Sequence, residues 1–227
     1  MDRTSFRNKI GFSPTKRSIS YIKQYNDFWS WKIGVEQHNC DHILDTKHID
    51  ETHKRLIDIL PRWQTYRGVN CNYKSDLPLA LKTISDAYNR IRKYSLLDFQ
   101  QIPDEPLHFI WDILGRIKEK NGSARSNSDY FVISVCKPLM FLWGQTLAFD
   151  SINRINIQKD KSLELTQPHI YESRWPYLFW KTVMQDLQRE MLKSQGVVDY
   201  SMSHSYENYG TNLTVPFGRY LDLYYYY

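Results

Sequence analysis

Residues 130–155 read YFVISVCKPLMFLWGQTLAFDSINRI, and the fold turns on how this stretch is read. Residues 130–149 are the most apolar part of the chain and hold one charge, Lys137, directly before Pro138. An ammonium in such a run is costly unless it finds water or a partner. Lys137 therefore either snorkels to solvent on its aliphatic stem or has a chemical task. Proline suits the first turn of a helix. The expected layout is two helices, 130–135 and 138–143, joined by a tight connection at 134–137. Trp143-Gly144 ends the second, and the loop 145–149 leads to Asp150. With Ser151, Asp150 caps a helix expected over about 150–157. Arg154 stands four residues beyond Asp150, the spacing of a helical ion pair.

Outward from this segment the pattern is mainly helical. Residues 21–37 are aromatic-rich and read as a helix, or a helix with a short extended piece. Ile49, Leu56, Ile57 and Leu60 predict a helix over 48–60, closed by Pro61. Leu77, Leu81, Ile84, Tyr88 and Ile91 give the buried stripe of a helix over about 76–97, with Pro78 in its first turn. Another begins at Asp104, runs through Leu107, Ile110, Trp111, Leu114 and Ile117, and stops at Asn121-Gly122. Residues 168–195 read as a long aromatic helix broken near Trp175-Pro176. The tail after Gly196 is polar and tyrosine-rich, and short strands or a packed coil are the alternatives there. The expected organisation is an arm at 1–24, a helical domain at 25–195 and a C-terminal segment at 196–227 packed on it.

The 227 residues are enough to bury a core. The mean hydropathy is −0.59, and no stretch approaches the roughly 18 uncharged apolar residues of a spanning helix. The N-terminus lacks the apolar core of a signal peptide, so the expected location is cytoplasmic, away from membranes. Cys40, Cys71 and Cys136 are odd in number and far apart, which fits reduced thiols. Aromatic residues make up 15% of the chain, supplying either a tyrosine-rich core and surface or the walls of a cleft. Charge is uneven: residues 1–24 carry six basic side chains against Asp2, while the remainder is neutral. Arg3, Arg7, Lys9, Lys16 and Arg17 thus form a basic arm suited to phosphate contacts or to a solvated tail.

The order Lys137, the apolar helix PLMFLW, Gly144, the loop QTLAF, then Asp150 with Ser151 and Arg154, resembles the helix-hairpin-helix superfamily of DNA glycosylases. It is most similar to the 8-oxoguanine-glycosylase-like branch. The resemblance implies a mainly α, helix-hairpin-helix glycosylase-like fold that binds DNA, flips out a damaged or modified base and cuts its N-glycosidic bond. By resemblance Lys137 is the amine nucleophile and Asp150 the essential carboxylate. Gly144, Gln145, Thr146 and Arg154 join the basic arm in holding DNA. Phe141, Trp143 and Phe149 form the base pocket. The hairpin position, Ser134-Val135-Cys136, has no glycine, and Lys137 and Asp150 are 13 residues apart, closer than in the standard enzymes.

Such chemistry needs these residue types. A carboxylate near the sugar stabilises its developing positive charge, and a lysine of lowered pKa attacks the sugar carbon to form a Schiff base. Burial among Phe131, Val132, Leu139 and Phe141 pushes a lysine that way. The alternative reading is a non-catalytic helical module that binds DNA or protein through its basic arm, with Asp150 only an N-cap. A third is a metal-dependent hydrolase built on His38, Cys40, His42, His48 and His53, although no standard zinc spacing is present. No Walker loop, dinucleotide turn, nucleophile elbow or HExxH occurs. The expectation is a monomer without metal or other cofactor.

Overall fold

The computed structural model describes residues 16–37, 41–66, 72–119, 129–161, 163, 169–194 and 216–226, with the side chains of 16–19 outside that set. Its elements are mainly helical, in the order α1 (Lys16–Glu36), α2 (Ile49–Arg62), α3 (Tyr73–Ile91), a 3-10 turn (Leu96–Gln101), α4 (Asp104–Arg116), β1 (Tyr130–Phe131), α5 (Val132–Leu142), α6 (Ser151–Lys159), β2 (Arg174–Trp175), α7 (Tyr177–Lys193) and α8 (Phe217–Tyr226).

α5 is the axis of the fold. Ten of its eleven residues are buried, so it is apolar all round and must be surrounded. α1, α2 and α4 pack against it. This corrects the two-helix reading of 130–143: one helix runs through 134–137, and no hairpin forms there. Pro138 removes one helical hydrogen bond and crowds the preceding turn, a penalty of about 3 kcal/mol. Burial of Val132, Val135, Leu139, Met140, Phe141 and Leu142 outweighs it, at roughly 1.5–3 kcal/mol for each large side chain.

The other elements follow their apolar stripes. α3 buries Leu77, Leu81, Ile84, Tyr88 and Ile91, as their spacing predicts, and packs on both α2 and α4. β1 and β2 pair antiparallel, Tyr130 opposite Trp175 and Phe131 opposite Arg174. The break expected near Trp175-Pro176 is a beginning: Trp175 lies in β2, Pro176 is the N-cap of α7, and the helix starts at Tyr177. α1 starts at Lys16, so the second part of the basic segment is helical, and Ile22 is already in the core. Arg3, Arg7 and Lys9 lie outside the described residues, as does the Asn121-Gly122 stop.

The largest departure is at the C-terminus. Residues 217–226, expected as coil or strand, form α8 and are almost wholly buried. Two close approaches seat it. Gly144 turns the chain after α5 with φ +78°, and Gly218 lies against the backbone of residues 144–146. Asparagine side chains of α6 then take up carbonyls of α8: Asn153 Nδ2 donates to Asp222 O at 2.9 Å and Asn156 Nδ2 to Tyr225 O at 2.7 Å. The last carbonyls of a helix have no partner within it, so the bond to Tyr225 O satisfies the end of α8 while both bonds dock it.

Candidate active site

α2 ends in a Schellman turn. Thr65 N–H donates to Leu60 O and Gln64 N–H to Pro61 O, with Gln64 at φ +58° in the left-handed position where glycine is usual. The turn leaves the carbonyls of Trp63 and Thr65 facing inward, and two buried lysines use them. Lys137, midway along α5 and 5% exposed, donates to Trp63 O. Lys118, just past α4 and 3% exposed, donates to Thr65 O at 3.1 Å, its ammonium 4.7 Å from the centre of the Phe131 ring. Lys137 therefore does not snorkel to solvent. Burial pushes its amine below the usual lysine range. The charges of Asp150 and Asp222 pull back against that, and Arg154 adds to the lowering.

Asp150 caps α6 as its sequence position predicts. Its Oδ1 accepts the N–H groups of Ile152 at 3.0 Å and Asn153 at 3.1 Å. The residue before it, Phe149, has φ +48°, a strained conformation for a bulky side chain. Arg154 braces this turn: Nη1 donates to Phe149 O at 2.7 Å and Nε to Tyr171 O at 3.3 Å. The guanidinium is thus engaged with two carbonyls, and Asp150 acts on it as a neighbouring charge.

Lys137 and Asp150 open into one cleft of about 510 Å³. Lys118 and Arg154 add cationic groups to its lining, and Gln64, Ser151 and Ser173 add polar ones. Its aromatic wall is Tyr21, Trp63, Phe131 and Tyr226. Tyr21 meets Trp63 edge-on at 5.3 Å, and Trp63 Nε1 donates to Gln24, so α1 holds this wall in place.

The expected base pocket is corrected. Phe141, Trp143 and Phe149 are at most 2% exposed and belong to the core. Phe141 packs on Tyr25, Phe28 and Trp63, Trp143 Nε1 donates to Tyr94 O, and Phe149 lies against Trp175. A helix that is apolar all round turns such side chains inward, and no ligand stacks on them without unfolding. Three of the loop residues expected to hold DNA also face inward. Gly144 O accepts Arg219 N–H, Gln145 Oε1 accepts Leu96 N–H at 2.9 Å, and Thr146 is fully buried. Arg154 alone of that group reaches the cleft. Lys16 and Arg17 sit in the first turn of α1.

Of the histidine cluster, His38 and Cys40 lie outside the described residues. His42 is buried and bonded to Asp45, and no group of three metal-ligating side chains occurs among the described residues. Cys136 is fully buried, and desolvation raises its thiol well above the usual range. No described helix is long and apolar enough to cross a membrane.

Lys118, Gln64, Tyr226 and the α8 pair Arg219–Asp222 were not legible in the sequence as parts of the site. The pair is an ion pair at i,i+3 with both side chains 4% exposed. The spacing of Arg219 and Asp222 is a helical signal, obscured by the tyrosines around it. Comparison of the chain with protein-family models, with curated proteins and with solved structures gives no match.

Proposed function

We propose that this protein is a DNA glycosylase that takes a damaged or modified base out of the duplex and removes it, with Lys137 as nucleophile and Asp150 as the stabilising carboxylate. One observation carries the reading. The single lysine of the apolar helix and the N-cap aspartate of the next helix line the same cleft. A desolvated amine beside a carboxylate is the pairing such a displacement needs. Lys137 Nζ bonds to the sugar C1′ as the bond from C1′ to the base breaks. The bonding pair leaves with the base, which takes up a proton. Asp150 offsets the positive charge that builds on the sugar. Opening of the sugar ring then leaves an iminium linkage between Lys137 and DNA. Tyr21 and Tyr226, half-buried in the cleft wall, offer faces for an extruded base. The basic residues before 24 suit the phosphates.

The test is mass spectrometry of bases released from oxidised, alkylated, deaminated and heavily modified phage DNA, with borohydride to trap the iminium adduct. Free base and a trapped adduct are expected from the unmutated protein. Lys137→Gln should abolish the adduct. Asp150→Asn should slow release about 10²–10⁴-fold while leaving DNA affinity intact. Silence across the panel with DNA binding intact would discard the enzyme in favour of a binding module. Release undiminished in Asp150→Asn would discard the site.

A further inference from the structure

We propose that Asp222, held by Arg219 in α8, is a positioning residue for the Lys137–Asp150 pair, fixing the turn that carries Asp150 and adding an Arg219-paired carboxylate to the charges around Lys137. The inference rests on the glycosylase reading for its consequence, and on geometry for its substance.

Asp222 grips the chain on both sides of Asp150. Its Oδ1 accepts Ala148 N–H at 2.8 Å, two residues before, and its main-chain oxygen accepts Asn153 Nδ2 at 2.9 Å, three residues after. Between these anchors lies Phe149 at φ +48°. Such a conformation persists only where its surroundings over-determine it. Asp222, together with Arg154 on Phe149 O, provides that constraint. The other carboxylate oxygen of Asp222 is paired with Arg219 Nη1. The Arg219 guanidinium in turn stacks over Tyr25 at 4.7 Å and Trp63 at 5.1 Å, and Trp63 is the residue whose carbonyl receives Lys137. The α8 pair thus touches the supports of both proposed reacting groups while lying outside the cleft lining.

The charges agree with the geometry. The groups acting on Lys137 are Asp150 and Arg154 from α6 and Asp222 from α8, and Lys118 lines the same cleft. Asp222 is acted on by Arg219, Lys137 and Asp150. Burial and Asp150 push its carboxyl up, against the pull of Arg219, the Ala148 amide and Lys137. A negative charge at 222 favours the protonated amine of Lys137, so removing that charge lowers the pH at which the amine becomes free.

The experiment titrates Lys137 directly, without substrate, by NMR of protein carrying 13Cε-labelled lysine, with the signal assigned by its loss in Lys137→Met. Asp222→Asn keeps an acceptor for the Ala148 amide and removes the charge. Its Lys137 midpoint should fall. Because Arg219 loses its partner in that variant and its unpaired charge would add to the fall, the double substitution R219M/D222N is measured beside it, and a smaller fall is expected. An unmoved midpoint in both overturns the electrostatic role. Asp222→Ala removes the acceptor as well, and should cost base release about 100-fold where Asp222→Asn retains most of it and moves its acid limb to lower pH. Equal release by Asp222→Ala and the unmutated protein overturns the positioning role. If the unmutated protein releases no base, the glycosylase reading falls while the lysine titration still decides the influence of Asp222 on Lys137.

Discussion

Gly218→Ala tests whether α8 is built into the site. A Cβ at 218 would stand 2.3 Å from the Gln145 carbonyl carbon, 2.4 Å from the Thr146 nitrogen and 2.7 Å from the Gly144 oxygen. These are backbone atoms, and no side-chain rotation relieves them. Reaching even 3.0 Å requires a shift of 0.7 Å. Gly144 has no room to yield, because its own Cβ position lies 2.6 Å from Trp29 and 2.3 Å from Pro216. Two responses compete. Overpacking of this kind costs about 1–3 kcal/mol. Releasing α8 would expose Tyr220, Leu221, Leu223, Tyr224 and Tyr225, roughly 7–15 kcal/mol of lost burial. The helix should therefore shift and remain docked. At about 2–4 °C per kcal/mol for a chain of this size, the melting temperature should fall by about 2–12 °C. Calorimetry measures that fall. Hydrogen exchange should find residues 217–226 still protected, with the Ala148 amide exchanging faster because its acceptor, Asp222, has moved. An unchanged melting temperature, or full loss of protection across 217–226, would refute the reasoning.

Gln64→Gly should raise the melting temperature, by at most about 6 °C. It relieves about 1–2 kcal/mol of left-handed strain against about 0.5–1 kcal/mol of added backbone entropy, and a fall in a thermal scan would count against the Schellman geometry. His42 is held below its usual pKa, chiefly by burial and against the pull of Asp45. Its folded form takes a proton less readily than its unfolded form, so its contribution to stability is complete above about pH 6.5 and is lost as pH falls through the lowered folded value. Melting temperatures of the unmutated protein should therefore drop more steeply below pH 6.5 than those of His42→Gln, and parallel curves would contradict this. Cys136, buried and with its thiol raised, should resist iodoacetamide at pH 8 in the folded protein and react in denaturant, as peptide mass spectrometry would record.

What could be read in advance was local. The run 130–149 carries one charge and its helix α5 is surrounded; the contact with Trp63 O, not the run itself, keeps Lys137 from solvent. An aspartate ahead of a polar helix caps it, and Asp150 does. The stripes of α3 and α4 locate those helices, but α3 ends at Ile91, six residues before its expected end, and 96–97 fall in the 3-10 turn. The same kind of local reasoning misplaces Pro138. Proline's local preference for a first turn is worth less than the burial that keeps α5 continuous. The aromatics of 141–149 were likewise misassigned, because an apolar segment carries no mark of which rings face a cavity and which face the core.

The supports of the cleft arise from parts of the chain far apart in sequence. Lys137 needs a carbonyl donated by a turn 74 residues earlier, and that turn has glutamine where a glycine would have announced it. Asp150 is fixed by a carboxylate 72 residues later, in a tyrosine-rich tail whose helical face becomes apolar or polar only against α6. Helix periods and caps are set by neighbours within a turn or two, so residue order alone determined the helical class and the capping aspartate. Which groups meet is set by packing between elements, so only the tertiary structure decided that Lys137 and Asp150 open into one cleft, and that α8 holds them there.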